Sequence, residues 1–178
     1  RGLRHFIDHL PASTSPVAEL IRKYPIKSRN VISHIRKATQ GVVSLENCHP
    51  FVRELWGRYW VFAHNGNLID FDPALSGRYL PVGNTDSERA FCFLLDTLAL
   101  RFGATAPSYE HLMDTMAEVA AILRAHGPAN FLLSNGRWLI AHCSTDLHYI
   151  VRRAPFNQAH LKDEDVSIDF NEVTSDTD

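Results

Sequence analysis

Cysteine is scarce in this sequence. Cys48, Cys92 and Cys143 are the only three in 178 residues, and no two form a C-x-x-C pair. An odd, sparse count argues against a disulfide framework and against a zinc site. A reducing, cytoplasmic compartment is the expected one. Long apolar runs are also missing: none nears the roughly 20 residues that span a bilayer. The opening residues carry no signal-peptide pattern. Basic excess is absent, since the formal net charge is −2. With no stripe of Lys and Arg to neutralise phosphates, nucleic acid and membrane surfaces are disfavoured as partners.

Several catalytic signatures are lacking as well. There is no G-x-S-x-G elbow, no P-loop and no H-E-x-x-H helix. Ten histidines are present. His34, His49 and His64 lie on different segments, and His142 and His148 fall near opposite ends of adjacent expected strands. Imidazoles satisfied in the fold or exposed to water account for them better than a metal, so no metal or cofactor is expected. Cys48 and His49 are neighbours in sequence, which is not how a thiol and its base usually meet. Cys92 and Cys143 sit within apolar runs and read as small core residues.

What remains is ordinary globular material, 45% apolar and 21% charged. A chain of this size buries roughly 70% of its unfolded surface, and residues 1–178 read as a single domain. The sequence opens on Arg1 and closes on the polar "NEVTSDTD". Further residues are expected before Arg1 and after Asp178.

The periodicity places the elements. Ser15-Pro16 reads as an N-cap and first helical position, opening a helix to about Tyr24. Residues 29–36 and 58–64 read as strands. Thr85-Asp86-Ser87-Glu88 is a capping box, in which Thr85 and Glu88 cap each other's backbone donors. Phe91, Leu94, Leu95, Leu98 and Phe102 follow at helical spacing, predicting a helix over about 86–102. A second, about 108–126, carries Leu112, Met113, Met116, Val119, Ala120 and Leu123 on one stripe and stops at Gly127. Strands are expected at 130–134, 137–143, 147–152 and 166–170. Asn135-Gly136 links the first two as a two-residue antiparallel hairpin. Strands, then helices, then strands predict an α+β fold with a mostly antiparallel sheet.

Three clusters carry possible chemistry: "SHIRKATQG" (33–41), "AHNGN" (63–67) and "GNTDSERA" (83–90). Each has a plain reading, as a solvated strand end, a type I′ hairpin and a helix cap respectively. In this order the run resembles the glutaminase domain of class II glutamine amidotransferases. Those carry an H-x-R-x-A-T-x-G strand exit, an H-N-G turn and a T-D-[ST]-E helix start. The counterparts are His34 to Gly41, His64-Asn65-Gly66 and Thr85-Asp86-Ser87-Glu88, with "ENCHPF" between the first two. "HPFVRELWGRYW" and "CSTDLHYIVRRAPF" look like the stand-alone bacterial YafJ-like group. The resemblance covers essentially the whole chain.

The resemblance implies a four-layer αββα sandwich of antiparallel sheets, the N-terminal-nucleophile hydrolase fold. It implies a small-molecule substrate, glutamine, with an ammonia-accepting partner that the sequence does not identify. Arg36 would fork onto the α-carboxylate, and Asp86, at a helix start, would hold the α-ammonium. The Asn65 side-chain NH₂ and the Gly66 N–H would form the oxyanion hole. Thr39 and His64 would be further substrate contacts. The nucleophile would be a cysteine at a processed N-terminus, with its α-amine as base. Arg1 is not that residue, so the cysteine is expected upstream. Lys37 and Gln40 stand where related enzymes often have Trp and His. By this reading Asn65-Gly66 belongs to a site and Asn135-Gly136 to a turn. Two other functions fit the same anchors: hydrolysis of other γ-glutamyl amides or peptides, and non-catalytic binding of a γ-glutamyl ligand.

Overall fold

A computed structural model describes residues 2–24, 26–35 and 43–151, with the backbone at 159–160 and 167–168. Its elements are α1 (Pro16–Lys23), a 3-10 turn (Leu45–Asn47), β1 (Phe51–Leu55), β2 (Arg58–Gly66), α2 (Asp86–Phe102), α3 (Tyr109–Ala125), β3 (Ala129–Ser134) and β4 (Leu139–His142). Two short strands follow, β5 (Ala159–His160) and β6 (Ser167–Ile168). The first four strands form one antiparallel sheet in sequence order, and the last two pair separately. The fold is mixed α and β with an antiparallel sheet, as the element pattern predicts.

The sheet buries the face it turns toward α2 and α3. Strand side chains alternate between faces, so Trp60, Phe62 and His64 point together into the core, all buried. The Phe62 ring stacks on Phe91 at 5.2 Å and meets Phe131 at 5.4 Å. Phe91, Leu94, Leu95 and Leu98 of α2, and Leu112, Met116, Val119 and Leu123 of α3, complete the same cluster. Each such side chain contributes roughly 1.5–3 kcal/mol by leaving water.

β1 and β2 turn on Trp56-Gly57, both at positive φ (58° and 70°), which matches the right-handed strand twist. A tryptophan there is costly. It is held by its indole N–H on the Gly103 carbonyl at 2.9 Å and by ring contacts with Trp60 and Phe102.

Several sequence expectations change in the fold. Residues 29–35 form no strand, and Arg36 lies outside the described residues. β-branched alternation makes a strand only when a ladder partner is present. Residues 147–151 likewise form no strand, and of 166–170 only Ser167–Ile168 is described as one. Asn65-Gly66 is not a turn: it continues β2, pairing with Asn130 and Ala129 of β3. The β3–β4 hairpin has four linking residues rather than two, since Ser134 pairs with Leu139. There the Asn135 Oδ1 accepts the N–H groups of Arg137 and Trp138, both at 3.0 Å, and widens the turn. Cys92 is buried, its thiol pushed up to about 11 by desolvation, but Cys143 is exposed at the end of β4.

The capping box is one-sided. Thr85 Oγ1 accepts the Glu88 N–H at 3.2 Å. The Glu88 carboxylate instead accepts the Gly83 N–H at 2.7 Å and the Arg53 guanidinium at 2.5 Å. Glu88 is almost fully buried, and a buried carboxylate needs a cation. Arg53→Met should therefore strand that charge and destabilise the fold by about 3 kcal/mol, read as a lower urea midpoint. Lys23→Met, at the exposed Lys23–Glu19 pair, should cost under about 0.5 kcal/mol.

Candidate functional site

The end of β2, the start of α2 and the turn between α3 and β3 converge. Asp86, first residue of α2, accepts the Leu68 N–H at 2.7 Å on one oxygen and the Ser87 N–H at 2.8 Å on the other. Two backbone donors and the N-terminal end of α2 thus fix its carboxylate in place. It opens into a pocket of about 350 Å³ whose wall includes Leu68, Phe71, Asn84 and Arg89. Arg89 pairs with Asp72 at the edge.

The segment leading into α2 is held from afar. Asn47 is buried, its Nδ2 donating to Asn84 Oδ1 at 2.9 Å and its Oδ1 accepting the Asn84 N–H at 3.0 Å. A Cβ on Gly83 would fall 2.3 Å from the same Oδ1. Glycine is therefore needed where these two segments touch.

Gly66 is under a tighter limit. A Cβ there would lie 1.8 Å from the Pro128 carbonyl oxygen and 2.7 Å from His64 Nε2. His64, only 2% exposed, has its Nε2 3.2 Å from the Pro128 oxygen and its Nδ1 2.8 Å from Ser87 Oγ. A carbonyl oxygen can only accept, so Nε2 carries the proton. In the neutral ring Nδ1 then accepts from the Ser87 hydroxyl.

Asn65 lies on the opposite face of the sheet from His64 and is exposed. Its backbone carbonyl accepts Asn130 Nδ2 at 3.3 Å. The other contacts of Asn130 tie in the loop after β4. Its Oδ1 accepts the N–H groups of Ser144 (2.9 Å) and Thr145 (3.1 Å), and its Nδ2 donates to Thr145 Oγ1 at 2.7 Å. Ser144 Oγ accepts the Ala129 N–H at 2.7 Å.

Of the residues singled out in the sequence, His64, Asn65, Gly66 and Asp86 thus gather around one corner. Arg36 and Thr39 lie outside the described residues. Ser87 and Asn130 join the corner without having been expected there. Asn130 did leave a trace, as an amide facing Asn65 in an otherwise apolar strand. Among the described residues no group of three or more His, Cys, Asp or Glu side chains is arranged to hold a metal, and no helix is long and apolar enough to cross a membrane.

Burial lowers the His64 pKa below its ordinary value, and the nearby Asp86 charge opposes this only in part. The folded state therefore keeps the ring neutral while the unfolded chain takes up a proton below about pH 6.5. The unfolded state binds more protons, so stability falls as pH drops through that range. Urea titrations between pH 7.5 and 5.5 should show this fall in the wild type. In His64→Gln the slope should be shallower, whatever the variant's absolute stability.

Comparison with known proteins places this chain in a family. A model described as class II glutamine amidotransferases matches residues 1–178. A Haemophilus influenzae protein, provisionally named a glutamine amidotransferase, is 53% identical over 172 residues, covering 96% of this chain and 58% of its own length. YafJ of Escherichia coli, with the same provisional name, is 49% identical over 178 residues, covering 100% of this chain and 70% of its own. The crystal structure of a predicted glutamine amidotransferase from Pseudomonas aeruginosa PA01 is 50% identical, with a TM-score of 0.62. The match covers 69% of this chain and 48% of that one. The chain thus spans 58% of the first of these curated relatives and 70% of the second. With its T-D-S-E helix start bonded to the backbone just beyond its H-N-G strand end, this chain belongs to the class II glutamine amidotransferases.

Proposed function

We propose that this domain hydrolyses the side-chain amide of glutamine to glutamate and ammonia. The supporting observation is the single bond from Leu68 N–H to Asp86, 2.7 Å long. It joins the segment leaving Asn65-Gly66 directly to the carboxylate at the α2 start. A ligand's ammonium on Asp86 and its developing oxyanion near Asn65-Gly66 would then sit in one corner of the fold.

In this reading the fold completes a four-layer αββα sandwich, and a cysteine upstream of Arg1 supplies the nucleophile. Its α-amine takes the thiol proton as sulfur attacks the amide carbon. The Asn65 NH₂ and the Gly66 N–H receive the oxyanion. The amine returns its proton to the leaving nitrogen, and ammonia departs from a γ-glutamyl thioester. Water, deprotonated by the same amine, then releases glutamate and the thiol. Asp86 holds the substrate ammonium, and Arg36 and Thr39 complete the carboxylate side. The exposure of Asn65 suits a side chain kept for a ligand rather than for packing.

The test is ammonia release from glutamine by the full-length natural chain. Asn65→Ala should lower turnover roughly 10²–10³-fold, the usual effect of losing one oxyanion donor. Asn65→Asp should be worse, because it aims a negative charge at the developing one. Asn135→Asp should stay near wild type, since its turn needs only the Oδ1 acceptor. A folded Asn65→Asp with near-wild-type turnover would refute the assignment. Separately, Asp86→Ala should raise KM, with a loss of about 2–5 kcal/mol in kcat/KM.

A further inference from the structure

His64 immediately precedes Asn65, yet its side chain points the other way, into the helical layer. Both ring nitrogens are engaged there, on Pro128 and on Ser87. At 2% exposure the ring does not reach a ligand. Its ring also forms a wall of the space where a Gly66 side chain would be, 2.7 Å from that Cβ position. Ser87 is likewise buried. Its hydroxyl links the His64 ring, near the end of β2, to the first turn of α2.

We propose that Ser87 and His64 are positioning residues, and that the bond between them holds Asn65-Gly66 in register with the α2 start. This rests on the oxyanion assignment made above. β2 is held extended here by its ladder with β3, so fixing the His64 ring steadies the strand end that carries the next residue, Asn65, on the far face. The Gly66 N–H follows in the same short stretch. A misplacement of about 1 Å in such donors is enough to cost up to roughly 10²-fold in rate.

The geometry separates this effect from substrate capture. Asp86 is held by two backbone N–H groups, from Leu68 and Ser87, and neither needs the Ser87 hydroxyl. The hydroxyl's own approach to Asp86 is longer, 3.4 Å, than its 2.8 Å bond to His64. Ser87→Ala therefore loosens the strand end while leaving the ammonium anchor in place. Losing an interaction made only in the transition state lowers kcat and leaves KM alone.

In the full-length natural chain, Ser87→Ala should lower glutaminase kcat about tenfold with KM within twofold of wild type. Ser87→Thr, which restores a hydroxyl, should recover most of the rate. In ¹⁵N spectra the His64 Nδ1 and Gly66 amide signals should move in Ser87→Ala and return in Ser87→Thr. If Ser87→Ala does not fold, Ser87→Cys, with a weak donor of similar size, carries the same comparison. Unchanged kcat, or a raised KM with kcat intact, would overturn the proposal. If the wild type releases no ammonia from glutamine or other γ-glutamyl amides, the functional reading fails by itself. The Gly66 amide signal then decides the positioning claim: displaced in Ser87→Ala, it stands; unmoved, it falls.

Discussion

Two stretches of backbone meet here with no room for side chains on either. A Cβ on Gly66 would overlap the Pro128 carbonyl at 1.8 Å, and a Cβ on Gly127 would overlap the Asn67 carbonyl at 2.2 Å. Gly127 is moreover at φ 144°, which disfavours any other residue. The contact is sealed by Ile69 N–H on the His126 carbonyl at 2.8 Å and by His126 Nδ1–H on the Ile69 carbonyl at 3.0 Å. This crossing fixes where β2 leaves the sheet and where β3 joins it. The His64 ring, the Leu68 N–H and the pocket beside Asp86 are all placed relative to it.

Around this crossing, buried polar groups find partners from distant segments. Glu88 reaches Arg53 on β1, and Asp96 accepts both the backbone N–H (2.6 Å) and the hydroxyl (2.5 Å) of Ser76. Asn47 clasps Asn84 across 37 positions of sequence. An unpaired group in any of these places would cost several kcal/mol. α2 is thus fixed along its length by polar bonds as well as by Phe91, Leu94 and Leu95. That leaves its first residue, Asp86, at a defined point facing the pocket.

α2 and α3 were legible in the sequence almost to the residue, because a single apolar stripe with a capping serine or threonine has one helical solution. β2 and β3 were legible as apolar runs. β1 was not expected, because its turn is Trp56-Gly57. A tryptophan at positive φ contradicts local preference, and only the packing of its ring on Trp60 and Phe102 permits it. The strand expected at 29–36 is not formed over 29–35, where local preference meets no strand ladder among the described residues.

The two Asn-Gly pairs draw the line most clearly. As dipeptides they are identical, and sequence could separate them only through their flanking motifs. Tertiary structure separates them physically. Asn135-Gly136 sits in a loop where Gly136 takes φ 76°. Asn65-Gly66 is held extended in β2 because β3 pairs with it and Pro128 leaves no space for anything larger than hydrogen. Residue chemistry, helix positions and family follow from the order of residues alone. Which face each side chain takes, that Glu88 serves Arg53 rather than its own helix cap, and that His64 turns inward to Ser87 were decided only by the tertiary fold. Those outcomes depend on partners tens of residues away, which no local pattern encodes.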